Sequence, residues 1–302
     1  MSRQASAAWL RQRERSNLPI LRLMVWISLT LGRRIGRLLL YAIALYFLLL
    51  APQARRASRL YLGRALGHRA EWSDAYRHIL SFASTIHDRI YLLNDRFDLF
   101  DIEVYGAEAV HAALARQPGV LLIGAHLGSF EVLRAVGRGR AGLKVAMLMY
   151  EENARKINAA LAAINPAAGR DIIALGRLES MLEVRDKLAS GYLVGMLADR
   201  GLADETTLEH DFLGQPAAFP IGPFRVAALL RRPAFFMTGL YQGGNRYRIH
   251  FELLTDFSQV PPGELNRVIG EAQALYVARL EHYCRLAPDN WFNFFDFWQK
   301  AR

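Results

Sequence analysis

Between residues 100 and 200, short apolar runs alternate with helix-like segments, and this alternation constrains the fold more than any other feature of the chain. Ile102-Glu-Val-Tyr105, Val120-Leu-Leu-Ile-Gly124, and residues 144–150, 171–175 and 192–197 each read as a strand. Residues 128–137, 153–164 and 178–189 carry helical spacing between them, with Pro118-Gly119, Asn165-Pro166 and Gly191 as punctuation. Continuous apolar strands are buried on both faces, which requires helices on each side of the sheet. The expected fold class is therefore α/β, with a mixed, mostly parallel central sheet flanked by helices. A polar loop is expected over 198–215, then a helix within 219–230 with Pro223 near its first turn. Residues 233–241 and 246–252, joined by Gly243-Gly-Asn245, read as an antiparallel hairpin, and a long helix over 264–285 follows.

The N-terminal end has a different character. Residues 1–70 hold 13 arginines, no lysine and one acid, Glu14, whereas the remainder is close to neutral. The arginines flank an uncharged run, Leu38-Leu-Leu-Tyr-Ala-Ile-Ala-Leu-Tyr-Phe-Leu-Leu-Leu-Ala51. Cations beside an apolar helix suit an anionic membrane surface, and the pattern lacks the polar and aromatic mixture of a nucleic-acid-binding face. A straight membrane span needs about 20 apolar residues, so one tilted span and two helices lying in the interface both fit. The expected division is a basic, apolar anchor over 1–52, a helical lead-in over 53–99 and an α/β core over 100–302. The single cysteine, Cys284, excludes an internal disulfide and a multi-cysteine metal site.

Chemistry concentrates at Gly124-Ala-His126-Leu-Gly-Ser-Phe-Glu131, where a histidine directly follows a buried-type strand. Open α/β sheets bind ligands at such strand ends, and the first turn of the next helix offers free N–H groups. A neutral imidazole can take a proton from an attacking hydroxyl near neutral pH. Glu131 is the expected partner, bonding the far ring nitrogen and fixing the tautomer. The competing reading is a histidine that caps the next helix beside a solvated glutamate. Ser129 does not sit in the G-x-S-x-G pattern of a serine nucleophile. The remaining histidines stand singly, without metal-ligand spacing.

The segment His126–Glu131 resembles the H-x4-D/E signature of the lipid A biosynthesis acyltransferases, the late lauroyl/myristoyl transferase family, which is related to the glycerolipid acyltransferases. Gly191-Tyr-Leu-Val-Gly-Met-Leu-Ala-Asp199-Arg200 resembles that family's glycine-started strand ending in Asp-Gln. Asp211-Phe-Leu-Gly-Gln-Pro-Ala-Ala-Phe-Pro-Ile-Gly-Pro-Phe-Arg225 resembles its F-F-G-x-x-A-x-x-x-x-G-P block, and Pro288-Asp-Asn-Trp291 its P-x-x-W ending. The resemblance covers most of the chain. It implies an O-acyltransferase with His126 as general base and Glu131 as its partner, and with Arg170 and Asp199 at the substrate site; the residues themselves leave Asp199 and Arg200 either paired with each other or contacting substrate. It implies no metal and no bound cofactor, the co-substrate being an acyl carrier protein or coenzyme A thioester. Acyl carrier protein is the expected donor, a hydroxyl of a lipid A precursor or related envelope glycolipid the acceptor, and no nucleic acid is involved. The implied location is the bacterial inner membrane, catalytic domain on the cytoplasmic side. The alternatives are a lysophospholipid acyltransferase or a non-catalytic lipid-binding protein. Three departures stand out: Arg200 replaces glutamine, Glu151-Glu152 adds acids after a strand, and Phe294-Phe-Asp-Phe-Trp298 replaces a basic ending. Acids facing the pocket would disfavour a bis-phosphorylated acceptor and point to a less anionic glycolipid.

Overall fold

A computed structural model describes residues 18–139, 144–150, 164–165, 172–175, 178–201 and 205–298. Ahead of the sheet come α1 (Leu18–Leu31), α2 (Arg33–Leu50), α3 (Pro52–Leu66) and α4 (Trp72–Leu92). Gly32, in a left-handed conformation at φ 85°, separates α1 from α2. Pro52 starts α3, so the chain turns 96° between α2 and α3. At the head of α4 a capping box forms: the Asp74 carboxylate accepts from the Glu71 backbone N–H at 2.7 Å, while the Glu71 side chain accepts from the backbone of Asp74.

α2 buries Gly36, Leu40, Ala44 and Leu48, one residue per turn. This stripe includes Ala44 and Leu48, which cluster with Ala75 and Ile79 of α4. At Gly36 the two helices approach so closely that an added Cβ would lie 2.3 Å from His87 Nε2. The other face of α2 leaves Leu38, Tyr41, Leu45 and Leu49 exposed, as α1 leaves Leu23 and Trp26. Among the described residues no single helix is long and apolar enough to cross a membrane. The bent pair α2–α3 passes by length and composition only. Arg37 bonds the body of the protein, donating to Gly244 O at 2.8 Å and Tyr241 Oη at 2.9 Å.

The remaining elements are β1 (Asp101–Tyr105), α5 (Ala107–Arg116), β2 (Val120–Gly124), α6 (Phe130–Gly139), β3 (Val145–Tyr150), β4 (Ile172–Leu175), α7 (Leu178–Ala189), β5 (Leu193–Leu197), β6 (Thr207–Phe212), β7 (Gln215–Pro220), α8 (Gly222–Leu229), β8 (Pro233–Tyr241), β9 (Arg246–Asp256) and α9 (Leu265–Leu286). Seven strands form one sheet in the order β1-β9-β8-β2-β5-β3-β4. Every neighbouring pair is parallel except β8–β9, whose turn is too short for a crossover. The expected mixed, mostly parallel sheet is therefore present. α9 covers one face with Ile269, Tyr276, Val277 and Leu280. The other face takes Val110 and Ala113 of α5 and Val132 and Leu133 of α6.

One segment departs from expectation. The polar loop expected over 198–215 contains most of a hairpin, β6–β7, paired from Thr207↔Pro220 to Phe212↔Gln215. Glu209 is exposed, while Phe212, Ala217 and Phe219 are buried, so charge masked a half-buried strand. Leu213 (φ 53°) and Gly214 (φ 75°) supply the two left-handed residues that a tight hairpin turn needs. The helix expected over 153–164, apart from Ile164, lies outside the described residues, as do Glu151, Glu152 and Arg170.

Candidate active site

β2 and β5 are adjacent and parallel, and their register pairs Gly124 with Leu197. Two residues beyond that pair, on each chain, stand His126 and Asp199. Equal offsets past the end of a parallel ladder place them side by side at the carboxyl ends of the strands. His126 Nδ1 lies 2.9 Å from Asp199 Oδ1, and His126 N–H donates to Asp199 Oδ2 at 3.0 Å.

A carboxylate only accepts, so Nδ1 carries the proton and Nε2 presents a lone pair. The imidazole is about one-third exposed (32%), whereas the Asp199 side chain is fully buried (0%). Two more donors reach Asp199 Oδ2: Trp291 Nε1 at 3.0 Å and Asn293 Nδ2 at 3.1 Å. The ring of His126 titrates below the ordinary histidine range. Desolvation and the Arg200 charge push it down and outweigh the upward pull of Asp199. The Asp199 carboxyl is held well below the usual carboxylate range. Its burial acts upward, and the imidazole, its hydrogen bonds and Arg200 override that.

The loop carrying His126 is clamped from two sides. On one, Gly128 N–H donates to Asn290 O at 2.8 Å and Phe292 N–H to His126 O at 2.7 Å. On the other, Ser129 N–H donates to Gly239 O at 2.8 Å and Thr238 Oγ1 to Leu127 O at 2.9 Å. Gly128 adopts φ 75°, and a Cβ there would fall 2.1 Å from Gly239 O, so only glycine allows this approach. From beneath, Tyr276 of α9 donates to Gly124 O at 2.9 Å.

Glu131 is not where the spacing placed it. It lies on the first turn of α6, which directs its side chain toward α4 rather than back to the imidazole. There Oε1 lies 2.9 Å from Arg89 Nε, and Ser129 Oγ donates to Oε2 at 3.4 Å. The carboxylate at the His126 ring is Asp199. Asp199, expected to contact substrate, is buried, and both its oxygens are bonded to His126, Trp291 and Asn293. Arg200 donates to Asn293 Oδ1 at 2.7 Å and Phe292 O at 3.0 Å, and its guanidinium lies 5.2 Å from the Phe295 ring centroid. The sequence reading missed Trp291 and Asn293 as parts of the site. Their signal was the dense tail 291–298, six aromatics with two polar residues, Asn293 and Asp296, interposed. Among the described residues no group of His, Cys, Asp and Glu is placed to hold a metal ion.

An oriented imidazole with a buried carboxylate behind it, at the strand ends of an α/β sheet, is an arrangement whose chemistry can take a proton from a hydroxyl. The sequence matches the family model for bacterial lipid A biosynthesis acyltransferases over residues 23–300, and the chain belongs to that family. Membership makes it an acyltransferase of lipopolysaccharide biosynthesis, associated with a membrane and using an acyl donor and a membrane lipid acceptor. No curated protein matches the chain.

Proposed function

We propose that the protein transfers a fatty acyl group from an acyl carrier protein thioester to a hydroxyl of a lipid A precursor, with His126 as general base and Asp199 as its partner. The acceptor hydroxyl gives its proton to His126 Nε2 as its oxygen attacks the thioester carbonyl. Asp199 stabilises the imidazolium through Nδ1–H. When the tetrahedral intermediate collapses, the C–S bond breaks and the thiolate leaves, taking the proton back from Nε2. No covalent enzyme intermediate is needed. Glu131 acts at one remove, by holding Arg89 against the first turn of α6. Arg200 and Arg170 provide positive charge for a phosphate-bearing acceptor. The observation that carries this reading is the 2.9 Å contact between His126 Nδ1 and Asp199 Oδ1.

The test offers purified enzyme acyl carrier protein and coenzyme A thioesters, with a phosphorylated glucosamine disaccharide or lysophosphatidate as acceptor. Product on the disaccharide from the carrier-protein donor is expected. Product on lysophosphatidate alone overturns the acceptor. We expect His126→Ala to lose at least about 100-fold in rate, and Asp199→Asn about 10³- to 10⁴-fold, because the ring tautomer is no longer fixed. A near-wild-type rate in either variant removes that residue from the mechanism.

The exposed apolar faces of α1 and α2 belong to the 1–52 segment, which in this proposal lies in the membrane interface rather than spanning it. The buried stripe of α2 is already occupied by α4, and the bend at Ala51 returns the chain to the body. An N-terminal reporter and the catalytic domain should then lie on the same, cytoplasmic, side of the inner membrane. A reporter active only on the opposite side refutes the in-plane arrangement.

A further inference from the structure

Resting on the His126–Asp199 reading, we propose that Trp291 and Asn293 are positioning residues: they occupy Asp199 Oδ2 so that Oδ1 alone serves the His126 ring. The C-terminal segment from Pro288 onward crosses over the ends of β2 and β8 as a strap. Tyr61 Oη donates to Pro288 O at 2.9 Å. Asn290 exchanges two hydrogen bonds with the Tyr241 backbone, at 2.7 and 3.1 Å. Beyond that anchor, Leu127 and Trp291 form an antiparallel bridge. The strap thus holds the backbone of the histidine loop and the carboxylate behind the histidine at once.

The chemistry of the donors is specific. Trp291 is fully buried, and its indole N–H can only donate. The Asn293 amide is placed between opposite charges: Nδ2 donates to Asp199 and Oδ1 accepts from Arg200. That pattern sets the amide orientation and keeps the carboxylate and guanidinium bridged by a neutral group. A carboxylate whose second oxygen carries these two side-chain donors besides the His126 N–H is a weaker base than one holding the backbone donor alone. It orients the imidazole without pulling it to the charged form, so Nε2 stays free to accept a proton. Among the described residues, the charged and titratable groups around the ring are Asp199 and Arg200 beyond β5, with Tyr276 of α9 beneath; Glu131 on α6 is engaged by Arg89.

Trp291→Phe removes the indole donor but keeps an aromatic ring among Tyr61, Phe212 and Phe297. Asn293→Leu removes the amide at similar volume. With either, kcat should fall about 10- to 100-fold with KM unchanged, the scale of one lost hydrogen bond to a charged group. The acid limb of the kcat/KM–pH profile should move to higher pH, because the unloaded carboxylate raises the imidazole. If Trp291 and Asn293 merely pack, the variants lose thermal stability while the acid limb stays in place. An unmoved limb in both variants, with Asp199→Asn inactive, overturns this inference and leaves the His126–Asp199 reading standing. An active Asp199→Asn enzyme overturns that reading itself.

Discussion

The N-terminal helical pair and the C-terminal strap both dock on α4, but they are held in opposite ways. The strap is inserted: Trp291 is fully buried and its neighbours exchange hydrogen bonds with the histidine loop on both sides. The helical pair is laid on: one residue per turn of α2 is buried, and most of its apolar surface faces outward. Beside that narrow stripe, polar bonds hold α2 in place. Arg33 makes a bidentate contact to Asp88 at 2.8 and 2.9 Å and donates to Gly244 O at 2.6 Å. Contacts of the strap end on His126, the proposed base, and its carboxylate. Those of α2 end on a turn of the sheet and on a carboxylate remote in sequence from the site. Damage to the strap should therefore appear in the rate, and damage to α2 in stability and attachment.

The largest test of that contrast is Arg33→Ala. Asp88 is fully buried, and Arg33 is only 14% exposed. Without the guanidinium, Asp88 keeps the Tyr247 hydroxyl at 2.9 Å as its hydrogen-bond donor. Removing one member of a buried pair costs about 3–5 kcal/mol, because the other charge is left uncompensated. Thermal unfolding in detergent should show that loss, and Arg33→Leu with Asp88→Asn should recover much of it. The rate per folded molecule should stay within about twofold of wild type. A rate collapse matching that of Asp199→Asn would erase the distinction between the two regions.

How far the sequence revealed these regions follows from the range of the forces involved. Strands β2, β3 and β5 were legible because burial on both faces leaves a local apolar signature. His126 was legible because it stands at a strand end. Its partner was not, since pairing His126 with Asp199 requires knowing that β2 and β5 are neighbours in register, and no local pattern encodes that. The equal offset of two residues past Gly124 and Leu197 becomes a signal only once the strand order is known. Glu131 attracted attention by proximity in sequence, but a helix start rotates successive side chains by about 100°, and Arg89 was waiting on α4. The tail 291–298 was recognisable as dense and aromatic, yet its two site-directed N–H groups were hidden within the apolar pattern. At α2 the apolar run was plain, whereas the bonding of Arg33 and Arg37 to the sheet was not, because an arginine beside lipid and an arginine on a carbonyl look alike in one dimension.

The smaller test uses acid. α4 carries two buried histidines: His87 under α1, where its Nε2 lies 3.1 Å from Ser28 Oγ, and His78 under the strap. His78 Nε2 lies 2.9 Å from Trp291 O, and its Nδ1 lies 2.9 Å from Ser58 Oγ. A carbonyl only accepts, so Nε2 bears a proton. Burial pushes its pKa down to about 4, against a carbonyl bond that acts the other way. Unfolded chain, with histidine near 6.5, then binds more protons than folded chain between pH 6.5 and 4. Stability from this group is intact above pH 6.5, falls as the pH drops through that window, and falls no further below about 4. At pH 5 the loss is about 2 kcal/mol. Chemical unfolding at pH 7.5 and 5.0 should show His78→Gln losing less stability over that interval than wild type. Equal losses would mean that the strap is not seated on a neutral His78, and that its attachment to α4 resembles that of α2 more closely than the geometry indicates.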